Sequence, residues 1–149
     1  MKNTILVSTL FALGLVAAPA GAHISKAANA RKAIAFLDMV FNQKKVKEGF
    51  DTYVGDKYIQ HNPIAADGKE AAVEVLGKAL QQLPGWTYTI KHAYADGDYA
   101  IVHSHVTMKP GDRGMAVVDI FRFEKGKVVE HWDVVQPVPE KSANDNTMF

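Results

Sequence analysis

The sequence predicts an α+β fold, with helices from the first half packed on one face of a curved, mostly antiparallel sheet built by the second half. Two patterns predict it. Apolar residues recur every three or four positions as far as Leu83, and from Trp86 onward the period changes to two. Short glycine-bearing turns, Asp96-Gly97-Asp98 and Glu124-Lys125-Gly126-Lys127, then join successive alternating runs, which is the signature of hairpins. No internal repeat breaks the chain. Its 149 residues, 48% of them hydrophobic, suit one small domain. A formal net charge of +1, mixed along the chain, gives no electrostatic case for nucleic acid. Without cysteine there is no disulfide framework, thiolate metal site or cysteine nucleophile.

The start of the chain reads as an export signal. Lys2 is followed by an apolar stretch over residues 5–16 and by Ala20-Gly21-Ala22, the small-x-small pattern of a signal peptidase site. Cleavage there would leave residues 23–149 as the mature domain, periplasmic or secreted. The apolar stretch is shorter than the ~20 residues of a membrane span, and no later stretch is more apolar, so no membrane contact is expected after cleavage.

The elements follow in order. Ala30, Ile34, Leu37 and Phe41 predict a helix over residues 24–43, and a second short helix over 46–53 turns Phe50 and Tyr53 inward. Gly55-Asp56 marks a turn. Residues 57–63 are extended, because Pro63 disfavours helix at Asn62. Asp67 is placed to cap a helix over 68–83, with Glu70 at the capping-box position and Pro84-Gly85 as its stop. Strands are expected over 86–95, 99–108, 116–123 and 128–136, and Pro137-Val138-Pro139 ends the sheet. The tail is polar until Met148-Phe149, two apolar residues suited to docking on a neighbouring subunit.

Chemistry concentrates in the last hairpin. Alternate strand residues face the same way, so Val117, Asp119, Phe121 and Phe123 share one face of the first strand. Val129, His131, Asp133 and Val135 share one face of the second. If these faces coincide, two carboxylates and an imidazole enter one surface, with Phe121 and Val135 as apolar lining. Gln60, His61 and Asn62 are either a solvated turn or the polar rim of a pocket. His103 and His105 share a face of their strand, as either pocket lining or half of a metal site that His131 and Asp133 could complete. His92 is read as surface, and Trp132 and Arg122 lie opposite His131 and Asp119.

The segments YIQHNP at residues 58–63, VVDIFRFEKGKVVEHWDVVQP at 117–137 and the terminal NTMF resemble the SnoaL-like proteins of the nuclear transport factor two-like superfamily. The resemblance covers essentially the whole mature chain. It implies a cystatin-like cone, a strongly bent sheet wrapped around the N-terminal helices with a pocket inside. Ketosteroid isomerase shares that fold, and its Asp-Val-Met-Arg-Phe strand resembles Asp119-Ile120-Phe121-Arg122-Phe123, which implies that Asp119 faces the cavity. The resemblance also implies a cavity aspartate as base, here Asp119 or Asp133, helped by polar groups such as His131. Two departures stand out: residues 24–43 hold no tyrosine to serve as the isomerase's oxyanion donor, and no base aspartate lies near His61.

An aspartate in an apolar pocket becomes a better base or a neutral hydrogen-bond donor. The expected activity is therefore that of a cofactor-free lyase or isomerase: proton abstraction next to a carbonyl, as in aldol condensation or isomerisation. Asp119, Asp133 and His131 are the catalytic candidates, and His61, Asn62, His103, His105, Phe121 and Val135 the binding ones. Two alternatives remain: a non-catalytic module for a small ligand or for assembly, and a metal-binding protein using His103, His105 and His131. No glycine loop for phosphate and no G-x-S-x-G is present. The expected partners are a small apolar or carbonyl-containing molecule and a second copy of the chain, because apolar residues on both faces of an open sheet call for cover.

Overall fold

A computed structural model describes residues 20–149, with side chains from residue 28 onward. The expected export signal lies outside the described side chains. Helix α1 (Ala20–Leu37) runs into a π-helical turn (Asp38–Asn42), followed by α2 (Val46–Tyr53), β1 (Val54–Gln60), α3 (Lys69–Gln82), β2 (Thr87–Asp96), β3 (Tyr99–Thr107), β4 (Met115–Glu124) and β5 (Lys127–Pro137). The strands form one sheet in the order β1-β5-β4-β3-β2. β2 to β5 are the expected antiparallel run, and β1 adds to its edge parallel to β5. Among the described residues, no helix is long and apolar enough to cross a membrane.

The first helix does not keep a single period over residues 24–43. At its end the Asp38 carbonyl accepts from the Gln43 amide at 2.9 Å, five residues on, and the Asp38 carboxylate accepts from Asn42 and Gln43. The widened turn aims the Asn42 amide at β2, where it donates to the Tyr88 carbonyl (3.0 Å) and accepts from the Tyr88 N–H (2.9 Å). This clamp lays Phe41 on Tyr88, with ring centroids 4.2 Å apart. The expected capping box at Asp67 does not form. Gly68, at φ 100°, occupies the N-cap of α3 without a side-chain bond, and Asp67 Oδ1 accepts the Gln60 N–H at 2.7 Å instead. Asp67 thus closes the end of β1 rather than the start of a helix.

The core fills the concave side of the sheet. Phe36 of α1 meets Phe50 of α2 and Phe121 of β4 edge-on, at 5.1 and 5.8 Å between centroids. Val102, Val106, Phe123 and Val128 complete the sheet side of the contact. Two bulges bend the antiparallel part of the sheet, between Ile90 and His92 in β2 and between Val128 and Glu130 in β5. The second changes one expected face. Phe123 pairs with Val128 and Arg122 with Glu130, so Val129 is the extra residue, and Val128 shares the core face with His131 and Asp133. Met148-Phe149 folds back on its own chain, with Phe149 over His103 and His105 at 5.6 and 4.5 Å on the convex face.

Candidate active site

The register of the last hairpin decides the site. Asp119 pairs with Asp133, Phe121 with His131 and Val117 with Val135, so all six face the same side. That side is the concave one, where they meet the helices. β1 then joins β5 with Gln60 opposite His131. This brings Tyr58, Gln60 and Asn62, alternate residues of one extended segment, onto the same surface. The resulting cavity encloses about 650 Å³. α1, α2 and α3 contribute apolar side chains to it, and the polar groups gather on the wall formed by β1, β4 and β5.

Those polar groups form one connected network. His131 Nε2 lies 3.0 Å from Asp119 Oδ1, and His131 Nδ1 lies 3.1 Å from Gln60 Oε1. Gln60 Oε1 also accepts the Asn62 N–H at 2.9 Å, and Gln60 Nε2 donates to the Tyr58 hydroxyl at 3.3 Å. The Asn62 side-chain amide donates to both oxygens of Asp133, at 2.9 and 2.8 Å, while Asn62 Oδ1 accepts the Ile64 N–H at 3.0 Å. The Phe121 ring stacks on the His131 imidazole at 4.9 Å. Asp119 is 2% exposed, and its Oδ2 has no hydrogen-bond partner.

Electrostatics follow from burial. Loss of solvent pushes the Asp119 carboxyl above the usual aspartate range; the hydrogen bond and charge of His131 oppose this, and the charge of Asp133 adds to it. Burial, reinforced by Asp119 and Asp133, also raises the hydroxyls of Tyr58 and Tyr88. Both tyrosines line the cavity and stay protonated as donors. Tyrosine hydroxyls, which residues 28–43 lack, are thus supplied to the cavity by β1 and β2.

Among the expected site residues, Asp119, His131, Asp133, Asn62, Phe121 and Val135 line this cavity. His61, His103 and His105 do not, and each is corrected by strand parity. His61 lies between Gln60 and Asn62 and points the other way, to Glu130 Oε1 at 2.8 Å and flat against Trp132 at 4.5 Å. His103 pairs with Val118 and His105 with Ala116, residues on the convex face of β4. The metal set of His103, His105 and His131 therefore cannot assemble, because the sheet separates its members. The described group whose donor atoms do come together, within 4.8 Å, is Asp119, His131 and Asp133. Both nitrogens of His131 and both oxygens of Asp133 are engaged by neighbours within the protein.

A family model described as the SnoaL-like domain matches residues 33–131 of the chain. The chain belongs to this family. Solved structures share its fold. A provisionally named ketosteroid isomerase from Kribbella flavida aligns with a TM-score of 0.64 at 19% identity, covering 80% of this chain and 86% of that one. An uncharacterised cystatin-fold protein from Novosphingobium aromaticivorans gives 0.61 at 23% identity, covering 71% and 97%. A provisionally named polyketide cyclase from Acidithiobacillus ferrooxidans gives 0.61 at 17% identity, covering 72% and 87%. None of the curated proteins matches the chain.

Tyr58, Gln60, Trp86 and Tyr88 also line the cavity of the SnoaL-like domain. In the sequence Gln60 stands only as part of a possible rim, and Tyr58, Trp86 and Tyr88 only as residues of extended segments. Their signal was the period-two placement of Tyr58, Gln60 and Asn62, which separates them from His61. On the convex face of the SnoaL-like sheet, Arg122 of the central strand β4 bridges Glu124 and Glu130, both at 2.6 Å, as expected of a surface ion pair.

Proposed function

We propose that this SnoaL-like domain is a cofactor-free isomerase or cyclase-type lyase that moves a proton next to a carbonyl group of a small, mostly apolar molecule. One observation carries the reading: Asp119, His131 and Asp133 meet, with Gln60 and Asn62 beside them, on one wall of a cavity whose remaining lining is mostly apolar. An apolar body can fill such a space, and the carbonyl end can face the polar wall. Two carboxylates held apart in charge by a histidine suit proton abstraction and return. The provisional names of the isomerase and cyclase neighbours support the same class.

The test follows exchange of the α-protons of 2-tetralone in deuterated water by proton NMR. The wild type is expected to accelerate exchange above buffer, and Asp133→Asn to abolish most of that acceleration while keeping its circular dichroism spectrum. No acceleration with 2-tetralone or with a panel of cyclic ketones and 1,3-diketones would sink the enzyme reading. A non-catalytic binding module is the second reading. It is favoured by the same network, since nearly every polar group of the wall already has a partner within the protein.

We also read the domain as an exported homodimer. Tyr94, Ile101 and Val134 stand exposed on the convex side of the sheet, and a partner copy would cover them. Gel filtration at micromolar concentration giving a monomer would end the dimer reading.

A further inference from the structure

The geometry points to Gln60 as a positioning residue that fixes His131 as the Nδ1–H tautomer, so that His131 and Asp119 hold one proton between them as the acid of the site and Asp133 is left as its base. This deepens the acid–base reading above and rests on it for the roles, though not for the tautomer.

The argument begins with a group that has no choice. A backbone N–H can only donate. The Asn62 N–H points at Gln60 Oε1 at 2.9 Å, and turning the Gln60 amide over would set two donors against each other. The oxygen end of Gln60 is therefore fixed. Its other neighbour is His131 Nδ1 at 3.1 Å. A carbonyl oxygen only accepts, so Nδ1 carries hydrogen. A neutral imidazole has one N–H, which leaves a lone pair on Nε2, 3.0 Å from Asp119 Oδ1. A lone pair and a bare carboxylate oxygen repel at that distance. A proton lies between them, with either neutral partners or an imidazolium and a carboxylate.

The same device sets Asp133. The Ile64 N–H donates to Asn62 Oδ1 at 3.0 Å, so the NH₂ end of Asn62 faces Asp133 and both carboxylate oxygens accept from it. The two aspartates stand opposite each other in register, and like charges so placed are unfavourable. Sharing one proton with His131 relieves this. The polar groups around the pair in the cavity are Tyr58 and Gln60 on β1, Asn62 just beyond it, Trp86 and Tyr88 at the start of β2 and Asp133 on β5, while the described helix residues that line it are apolar. Among the described residues, no lysine or arginine lines the cavity. The held proton is the positive charge that balances two carboxylates.

The step then balances without a cofactor. The Asp133 carboxylate takes the α-proton, and the C–H electron pair forms the enol double bond. The carbonyl π electrons pass to oxygen, which receives the proton of the Asp119–His131 pair. Collapse of the enol returns that proton to the pair, and protonated Asp133 delivers its own to carbon.

The test is long-range ¹H–¹⁵N NMR of the histidine rings in the full chain at neutral pH, with the His131 signals assigned by their loss in His131→Gln. The expected result is a protonated Nδ1 in the wild type. Gln60→Glu offers the same acceptor to Nδ1–H and keeps it protonated. Gln60→Leu removes the acceptor, so His131 turns to the Nε2–H form and donates to Asp119, and exchange of 2-tetralone slows about 10²-fold with a displaced pH profile. A wild-type His131 with hydrogen on Nε2 alone, or a Gln60→Leu spectrum unchanged from wild type, overturns the proposal. A locked tautomer without any exchange overturns the acid–base function and leaves the lock standing. Exchange with an Nε2–H His131 overturns the lock and leaves the function.

Discussion

His131 and Asp119 meet at 3.0 Å on the concave face of the sheet, and His61 and Glu130 meet at 2.8 Å on its convex face. Residues 130 and 131 are neighbours in β5, so the two pairs sit back to back. Their carboxyls move in opposite directions. Burial raises Asp119, and His131 only partly offsets it. Hydrogen bonds from His61 and Arg122 lower Glu130, outweighing the little desolvation it suffers. A histidine beside a carboxyl group thus accompanies a raised carboxyl pKa on one side and a lowered one on the other. The difference is solvent: a carboxylate keeps its charge near water and a cation, and becomes reluctant to carry it inside an apolar cavity.

That contrast can be broken from either side. Asp133→Asn on the concave face should slow 2-tetralone exchange about 10³-fold, whereas His61→Ala on the convex face should leave the rate within about twofold. Equal losses would dissolve the distinction between the faces. Next in size, Phe121→Ala removes a side chain that is 1% exposed and that stacks on His131. Urea unfolding should show a loss of about 3–5 kcal/mol.

Asp119→Asn sharpens the contrast through pH. The folded-state pKa of Asp119 lies above its unfolded value. Its contribution to stability is thus fully present below the ordinary aspartate pKa of about 4 and is lost as pH rises through the raised folded value. The variant should lack that decline and melt a few degrees higher near pH 8, a gain of about 1 kcal/mol. A wild-type Tm that falls no faster than the variant's above pH 4 would contradict it. Glu130→Gln is the mirror experiment and the smallest effect, about 0.5–1 kcal/mol. Glu130 is depressed in the fold, so its contribution is present above the ordinary glutamate pKa and fades as pH falls through the lower folded value. The wild-type advantage in Tm at pH 6 should therefore vanish toward pH 3.

Much of this site was legible in the chain. Alternation alone grouped Asp119 with Phe121 and His131 with Asp133, and the Lys125-Gly126 turn between them set the hairpin, with both residues at positive φ (50° and 75°). The sequence marks residues 60–62 as a possible rim without dividing them between two faces. Parity places Gln60 and Asn62 together and His61 opposite, yet nothing local says which side meets a cavity. His103 and His105 shared a face as expected, but that face is the wrong one for the site. Their inward neighbours are Val102 and Ser104, both fully buried.

The sequence by itself determined the order of elements, the change of period after Pro84-Gly85 and the composition of each strand face, because these depend on residues within a few positions of one another. Tertiary structure decided which faces coincide. The register of β4 on β5, the extra residue at Val129 and the parallel docking of β1 bring residues 60 and 62 to residues 131 and 133, across some seventy positions. Backbone pairing over that distance is selected by the core that both faces must bury. Proton placement was decided there as well, because it depends on which backbone N–H meets which side-chain oxygen, and only the folded chain brings His131 against the amide that those N–H groups orient.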